Sequence, residues 1–334
     1  MRKIEKHKVT DLHVAILIPC HNEALAIADV VRDFREHLPQ ADIHVFDNNS
    51  TDETISLAKA AGALIHREFR QGKGNVVNEM FRCVEADVYV MVDGDGTYDA
   101  SQVRRLIKPV IYREYDMVCA SRLSDFDKNA FRPLHVWGNN LILQTINFLF
   151  RQSLTDILTG YRAFSRRFVK TFPALSEGFQ IETEMTLHAL DRNLKIMEIP
   201  VRYGARVGNT ASKLNTFSDG FKVMWTIFRI FKNYKPMSFF GCFGVLFVVG
   251  GLAAGYLPVK EFIETGLIYR IPSIVLATGM MILSAMTFSI GLILDTISHN
   301  QREVFQWHLA AISHQSYGSN EEAMDQKSHI QAVE

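Results

Sequence analysis

Two stretches near the C-terminus limit what this chain can fold into. Pro236 to Val259 and Ile271 to Leu294 each run for 24 residues without a charged side chain. A helix needs roughly 20 apolar residues to cross the hydrocarbon core of a bilayer. Both therefore read as membrane spans, over about 237–257 and 272–294 within a two-helix segment 236–295. Buried helices of a soluble core are the competing reading, but they seldom run this long without a charge. The short link Lys260 to Arg270 makes the pair a hairpin. Lys222, Arg229, Lys232 and Lys235 precede the first span, against Lys260 and Arg270 in the link. That bias keeps the N-terminal mass in the cytosol. The opening MRKIEKHKVTDLH has no apolar core of the kind a signal peptide needs.

The spans change how the composition reads. The 334 residues carry 36 basic and 36 acidic side chains, with 48% hydrophobic and 22% charged overall. Residues 236–294 hold only Lys260, Glu261, Glu264 and Arg270, so the remainder is about 25% charged, the usual value for a globular domain. Such a chain is too apolar for disorder, and a dedicated nucleic-acid binder would show a basic surplus. Cys20, Cys83, Cys119 and Cys242 lie far apart with no CxxC pair, which suggests neither a zinc site nor a disulfide framework and fits a reducing compartment.

Between the soluble part (1–215) and the spans, 216–235 has its own pattern. Phe217, Phe221, Met224, Trp225, Phe228 and Phe231 recur at three- and four-residue spacing with Lys222, Arg229 and Lys232 between them. An aromatic stripe beside basic residues suggests a helix lying in the membrane interface; a core-facing amphipathic helix is the alternative. Phe131 to Phe150 has a weaker version of the same pattern. Residues 296–334 read as a polar cytosolic tail.

Over the first 120 residues, short apolar runs alternate with helical patterns. VAILIP (14–19), IHVFD (43–47), ALIH (63–66), DVYVMVD (87–93) and DMVCA (116–120) read as strands, and Ala24–His37, Thr51–Ala61, Asn75–Val84 and Ser101–Tyr112 as helices. This alternation predicts an α/β fold with a mostly parallel, doubly wound sheet, in which ligands bind beyond the carboxyl ends of the strands. Those ends carry Pro19-Cys20-His21-Asn22-Glu23, Asp47-Asn48-Asn49-Ser50-Thr51-Asp52 and Asp93-Gly94-Asp95-Gly96-Thr97. No GxGxxG follows the first strand, and Gly72-Lys73-Gly74 lacks the lead and the trailing hydroxyl of a phosphate loop. Ser50 and Glu53 match a capping box. Asp47-Asn49-Thr51 lacks the glycine a calcium loop needs at its sixth position. Asp93 and Asp95 are two carboxylates split by a glycine just past an apolar strand. Turn residues often look like this, but hard oxygens so placed also suit Mg²⁺ or Mn²⁺ completed by substrate phosphates.

The ordered set IPCHNE, DNNSTDET, QGKGN, VDGDGTYD, ASR, DILTGYRAFSR, EIPVRYGAR and SKL resembles glycosyltransferase family 2, and within it the polyprenyl-phosphate (dolichol-phosphate mannose synthase-like) branch. The likeness covers residues 12–215, and two trailing spans match its membrane-anchored members. It implies a GT-A catalytic domain, a Mg²⁺ or Mn²⁺ cofactor, and inverting transfer from a nucleotide sugar to a polyprenyl phosphate at the cytosolic face of a bacterial inner membrane. A UDP sugar is the expected donor, with GDP-mannose the alternative. By motif position, Pro19, Asn22, Glu23 and Asp47 would hold base and ribose, with Lys73 near the nucleotide. Asp93 and Asp95 would serve metal and diphosphate. Arg122 and Arg132 would receive the acceptor phosphate. Arg206 and Lys213 would clamp diphosphate or acceptor, and Arg162 and Glu182 would floor the sugar pocket or form a structural ion pair. Asp95 and Arg122 would be catalytic.

Two departures stand out. Thr97 replaces a glutamine that completes the metal shell in this branch, and Asn209-Thr210-Ala211 lengthens the spacing between Gly208 and Ser212. A processive polysaccharide synthase of the same fold is the nearest rival, but residues 301–307 do not match its QxxRW motif. An inert membrane scaffold or lipid carrier has no need of the strand-end carboxylates. Homo-oligomer formation is left open by the sequence.

Overall fold

In the computed structural model the described residues are 12–122, 133–173, 181–204 and 216–331, with backbone alone at 133–137, 216–224, 308 and 310–331. The chain divides into two compact units, Met1–Asn215 with Ile312–Glu334, and Thr216–Ala311.

The first unit is built on a seven-stranded sheet: β1 (Val14–Cys20), β2 (Asp42–Asp47), β3 (Leu64–Arg67), β4 (Val88–Met91), β5 (Met117–Arg122), β6 (Arg162–Ser165) and β7 (Ile196–Val201). Their spatial order is β3-β2-β1-β4-β6-β5-β7. Six strands run parallel, and β6 is antiparallel to both its neighbours. Ala15 to Ile18 have no exposed surface, as expected of a strand covered on both faces. Helices α1 (Ile27–His37), α2 (Thr54–Ala60), α3 (Lys73–Cys83) and α4 (Val103–Ile111) fill the crossovers. Each buries one apolar stripe: Ile27, Val30, Val31 and Phe34 on α1, and Val103, Leu106, Ile107 and Val110 on α4. Full burial of a side chain such as Phe34 contributes about 2–3 kcal/mol. Helices α5 (Pro133–Phe150), α6 (Arg166–Val169) and α7 (Ile181–Asp191) complete the unit.

Parallel registry sets the functional edge. Cys20 pairs with Asp47 and Asp47 with Arg67, while Leu17 pairs with Met91, so the three acidic loops leave the same edge of the sheet.

The second unit contains α8 (Thr216–Tyr234), α9 (Pro236–Thr265) and the start of α10 (Ile271–Gln331). Two segments, Pro236–Thr265 and Ile271–Trp307, are long and apolar enough to cross a membrane, and most of their surface faces outward. They pack reciprocally. Gly244 lies against the Phe288 ring, Gly291 lies against Phe240, and Ser284 donates to the Gly244 carbonyl at 2.9 Å. Gly266, at φ 69°, ends α9 in the left-handed conformation, and Arg270 closes the turn on Glu261 at 2.8 Å. Helix α9 extends past the expected end of the span because Lys260, Glu261 and Glu264 are good helix formers. The expected polar tail is helical through Gln331. On α8, Trp225 and Phe228 are exposed and stack at 5.5 Å, while Phe228 and Phe231 also touch Phe239.

Two histidines in the first unit make it acid-sensitive. Burial, then the neighbouring His66, pushes His44 down to about 4; burial, then Arg192, does the same to His188. In the unfolded chain both protonate near pH 6.5. Between these values the unfolded state binds more protons, so stability falls as the pH drops from about 6.5 toward 4. Denaturation followed across that range should show a shallower fall for His44→Gln than for the wild type.

Candidate active site

The loops after β1 and β2 are laced to each other. Asn22 and Asn49 both adopt left-handed backbone, at φ 58° and 62°, which asparagine tolerates better than most residues. Asn22 Oδ1 accepts the Thr51 N–H at 2.8 Å, and Ser50 Oγ accepts the Asn22 N–H at 3.0 Å. Thr54 Oγ1 accepts from Glu23 N, and the Asp47 carboxylate accepts from Ser50 N. The expected capping box is therefore not formed. Helix α2 starts three residues later than that motif requires, and it is Asp52 whose carboxylate accepts the Thr54 N–H, at 3.0 Å.

Asn48 fixes the next loop. Its side chain donates to the carbonyls of Glu68 and Arg70 and accepts the Gly72 N–H, all within 2.9 Å. This sets the start of α3 and aims Lys73 inward. The Lys73 ammonium lies 2.5 Å from Asp93 and 2.6 Å from Glu182 of α7. Burial alone would lower its pKa, but the two carboxylates outweigh that and hold the lysine protonated, well above its ordinary range. Asp93 is wedged against Gly160, where any Cβ would collide with its carboxylate; a Cβ on Gly94 would sit 2.6 Å from Cys20 Sγ. Asp95 is buried, and its Oδ1 accepts both the N–H and the hydroxyl of Thr97, at 3.2 and 2.6 Å. Thr97 thus orients Asp95. Burial, followed by the fields of Glu23, Asp47, Asp93 and Asp95, pushes the Cys20 thiol up.

A further loop, 155–160, reaches the same place, its Gly160 lying against Asp93. Arg122, at the end of β5, is held in a two-pronged pair by Asp156 (Nε–Oδ2 2.7 Å, Nη2–Oδ1 3.0 Å), with its guanidinium 5.5 Å from the Tyr203 ring centre. Burial opposes its charge and Asp156 favours it more strongly, so Arg122 is raised and stays cationic. Glu198 of β7 accepts the N–H groups of Thr155 and Asp156 and the Thr155 hydroxyl. Tyr98 OH accepts the Gly160 N–H at 2.9 Å.

Arg162 is fully buried and donates to the carbonyls of Ile157 and Thr159 and to the Thr186 hydroxyl. This corrects the expected Arg162–Glu182 pair: Glu182 answers Lys73, while Arg162 braces the loop from within and presents no surface to a sugar.

Of the other expected residues, Pro19, Asn22, Glu23, Asp47, Lys73, Asp93, Asp95 and Glu182 converge on the carboxyl edge of β1, β2 and β4, and Arg122 flanks them. Arg132, Arg206 and Lys213 lie outside the described residues. Asn48, Tyr98, Asp156, Glu198 and Tyr203 escaped the sequence reading; the motifs DNNSTDET, VDGDGTYD, DILTG and EIPVRY contain them but gave them no partner.

Residues 15–172 match the profile of Glycosyl transferase family 2. The chain is 32% identical over 291 residues to Glycosyltransferase AglJ of Haloferax volcanii, covering 87% of this chain and 95% of that one. This chain belongs to glycosyltransferase family 2. It is also 28% identical over 211 residues to the undecaprenyl-phosphate mannosyltransferase of Micrococcus luteus, covering 58% of this chain and 85% of that one. Among solved structures, glucosyl-3-phosphoglycerate synthase of Mycobacterium tuberculosis, in complex with Mn²⁺, UDP and phosphoglyceric acid, superposes with a TM-score of 0.55 at 18% identity, covering 68% of this chain and 80% of that one. The enzyme is thus a glycosyltransferase on a GT-A-like fold.

The donor set suits a divalent cation: hard oxygens from the buried Asp95 and the half-buried Asp93 just past the end of β4. Among the described residues no three acidic, histidine or cysteine side chains form a metal cage. One or two carboxylates completed by substrate phosphates is the arrangement Mg²⁺ commonly adopts.

Removing the Lys73 ammonium strands the buried Glu182 carboxylate and the half-buried Asp93. Lys73→Met should lose about 3–5 kcal/mol of stability, measured by denaturation. The loss should shrink as the pH is lowered, because a proton can then replace the ammonium. In the wild type, where Lys73 is raised, the contribution is complete at neutral pH and fades only above the ordinary lysine range.

Proposed function

We propose that this glycosyltransferase moves a sugar from a nucleotide sugar to a polyprenyl phosphate, with inversion at the anomeric carbon. The observation that carries the reading is the pairing of two charge systems through one loop. Asp93 and Asp95, with Lys73, form an acidic donor edge, and Arg122 offers a fixed cation on the other side of the 155–160 loop. Relatives named for undecaprenyl- and dolichyl-phosphate transfer support the acceptor. Neighbours that hold UDP-glucose with Mn²⁺ support the donor. A UDP sugar fits this reading, with GDP-mannose as the alternative.

Base and ribose would lie along Pro19, Asn22, Glu23 and Asp47, with the diphosphate near Lys73, Arg206 and Lys213. A Mg²⁺ or Mn²⁺ ion held by Asp95 and Asp93 would supply charge neutralisation of the departing diphosphate. The acceptor phosphate, held by Arg122 and Arg132, is already anionic at neutral pH, so it needs no general base. Its oxygen bonds to the anomeric carbon as the bond to the nucleoside diphosphate breaks on the opposite face, and the nucleoside diphosphate leaves. Catalysis of this kind rests on positioning and on charge placed in advance. Glu182 contributes through Lys73. The apolar helices would keep the enzyme in the membrane that carries its acceptor, α8 lying in the interface and the catalytic unit facing the cytosol of a bacterial cell.

Purified protein should transfer labelled sugar to undecaprenyl phosphate, and chelation should abolish the reaction. Asp95→Asn should cost about 100-fold or more in kcat. Transfer to a growing glycan with lipid phosphate inert would favour a polysaccharide synthase, and full activity in excess chelator would rule out the metal-assisted reaction.

A further inference from the structure

Arg122 is not simply a free cation awaiting a phosphate. A guanidinium has five N–H donors in a planar fork. Two of Arg122's, on Nε and Nη2, are taken by Asp156. The edge formed by Nη1 and the second Nη2 hydrogen keeps the parallel geometry that suits a phosphate. Rotation of the plane is restrained by Tyr203, whose ring lies under the guanidinium, and by the Arg122 N–H, which also donates to Asp156 at 3.3 Å.

Asp156 is itself immobilised. Its Oδ1 accepts the Leu158 N–H at 3.0 Å, and its own N–H is held by Glu198 at 3.0 Å. Glu198 also binds Thr155 twice, through the N–H at 2.8 Å and the hydroxyl at 2.9 Å. The remainder of the loop is pinned by Arg162 on the carbonyls of residues 157 and 159 and by Tyr98 on Gly160. A carboxylate so fixed does not swing aside when an anion arrives.

We propose that Asp156, anchored by Glu198, is a positioning residue that fixes the orientation of Arg122 so that its Nη1–Nη2 edge meets the acceptor phosphate. This rests on the proposed polyprenyl-phosphate acceptor and extends it. Glu198 and Asp156 act in series, the first setting the loop and the second setting the arginine. The arrangement has a characteristic cost. The Asp156 charge repels the incoming phosphate as it orients the cation that binds it, so it improves geometry at the expense of affinity. A residue needed only for folding leaves no such signature.

The test separates turnover from binding. Asp156→Asn keeps the shape, removes the charge and loosens the fork. It should lower kcat by about 100-fold, the scale of a misplaced reacting group, with the KM for nucleotide sugar unchanged and the KM for polyprenyl phosphate unchanged or lower. Its calorimetric Kd for geranyl phosphate should equal or fall below that of the wild type. Glu198→Gln, which leaves the Arg122–Asp156 pair in place but loosens its anchor, should move kcat in the same direction by a smaller factor. It carries the test if Asp156→Asn fails to fold. A kcat within about twofold of wild type in both variants, or a Kd for geranyl phosphate raised by about tenfold, overturns the assignment. If the wild type binds geranyl phosphate but transfers sugar to no polyprenyl phosphate, the proposed function fails alone and the affinity comparison still decides this assignment. If the wild type does not bind geranyl phosphate, both fall.

Discussion

The site is organised around one ammonium group. Lys73 stands between Asp93 and Glu182 at 2.5 and 2.6 Å, in surroundings where an unmatched charge of either sign is expensive. Its position draws three distant segments together: the start of α3, the end of β4 and the first turn of α7. Asn48 places the loop that delivers Lys73, and Gly160 leaves just enough room for Asp93. The pair also divides labour between the two strand-end aspartates. One oxygen of Asp93 is committed to the lysine, while Asp95 is oriented by the Thr97 backbone and hydroxyl. Thr97, which departs from the family pattern, therefore acts on the carboxylate beside it.

A second element connects the Lys73 cluster with Arg122. The loop 155–160 touches Asp93 through Gly160 and Arg122 through Asp156, and Arg162 holds it from beneath with no exposed surface. Its groups make hydrogen bonds to β5, β6, β7 and the segment after β4, so a shift at one end is carried to the other. Reacting groups held within a fraction of an ångström are what the proposed transfer, which uses no general base, demands.

Much of this was legible in the sequence, and the rest had physical reasons to be hidden. Strands β1, β2, β4 and β5 announce themselves as short β-branched apolar runs between helical patterns, and the acidic loops follow from where those runs stop. β6 and β7 do not. Arg162 opens a four-residue strand that reads as polar, Glu198 and Pro200 interrupt β7, and an antiparallel strand between two parallel ones breaks the βαβ rhythm. The partner of Glu182 was misread because the contact between α7 and the start of α3 joins residues 73 and 182, and no local pattern encodes it. Asp156 and Glu198 were missed for the same reason: their hydrogen bonds span 34 and 42 residues. The capping box failed because Ser50 had a better use, holding the backbone of Asn22 across the cleft. In the second unit the charge-free runs gave both apolar helices. Both helices continue past those runs, α9 through the helix-forming Lys260, Glu261 and Glu264.

The central claim is that the acidic strand-end edge, balanced by Lys73, is a seat for a nucleoside diphosphate completed by a divalent cation. Titration calorimetry of the purified full-length protein with UDP and GDP, in Mn²⁺ and again in EDTA, tests it most directly. The account predicts saturable binding of at least one of the two in Mn²⁺ and its loss in EDTA. Equal binding in EDTA, or no binding of either nucleotide in Mn²⁺, would contradict it.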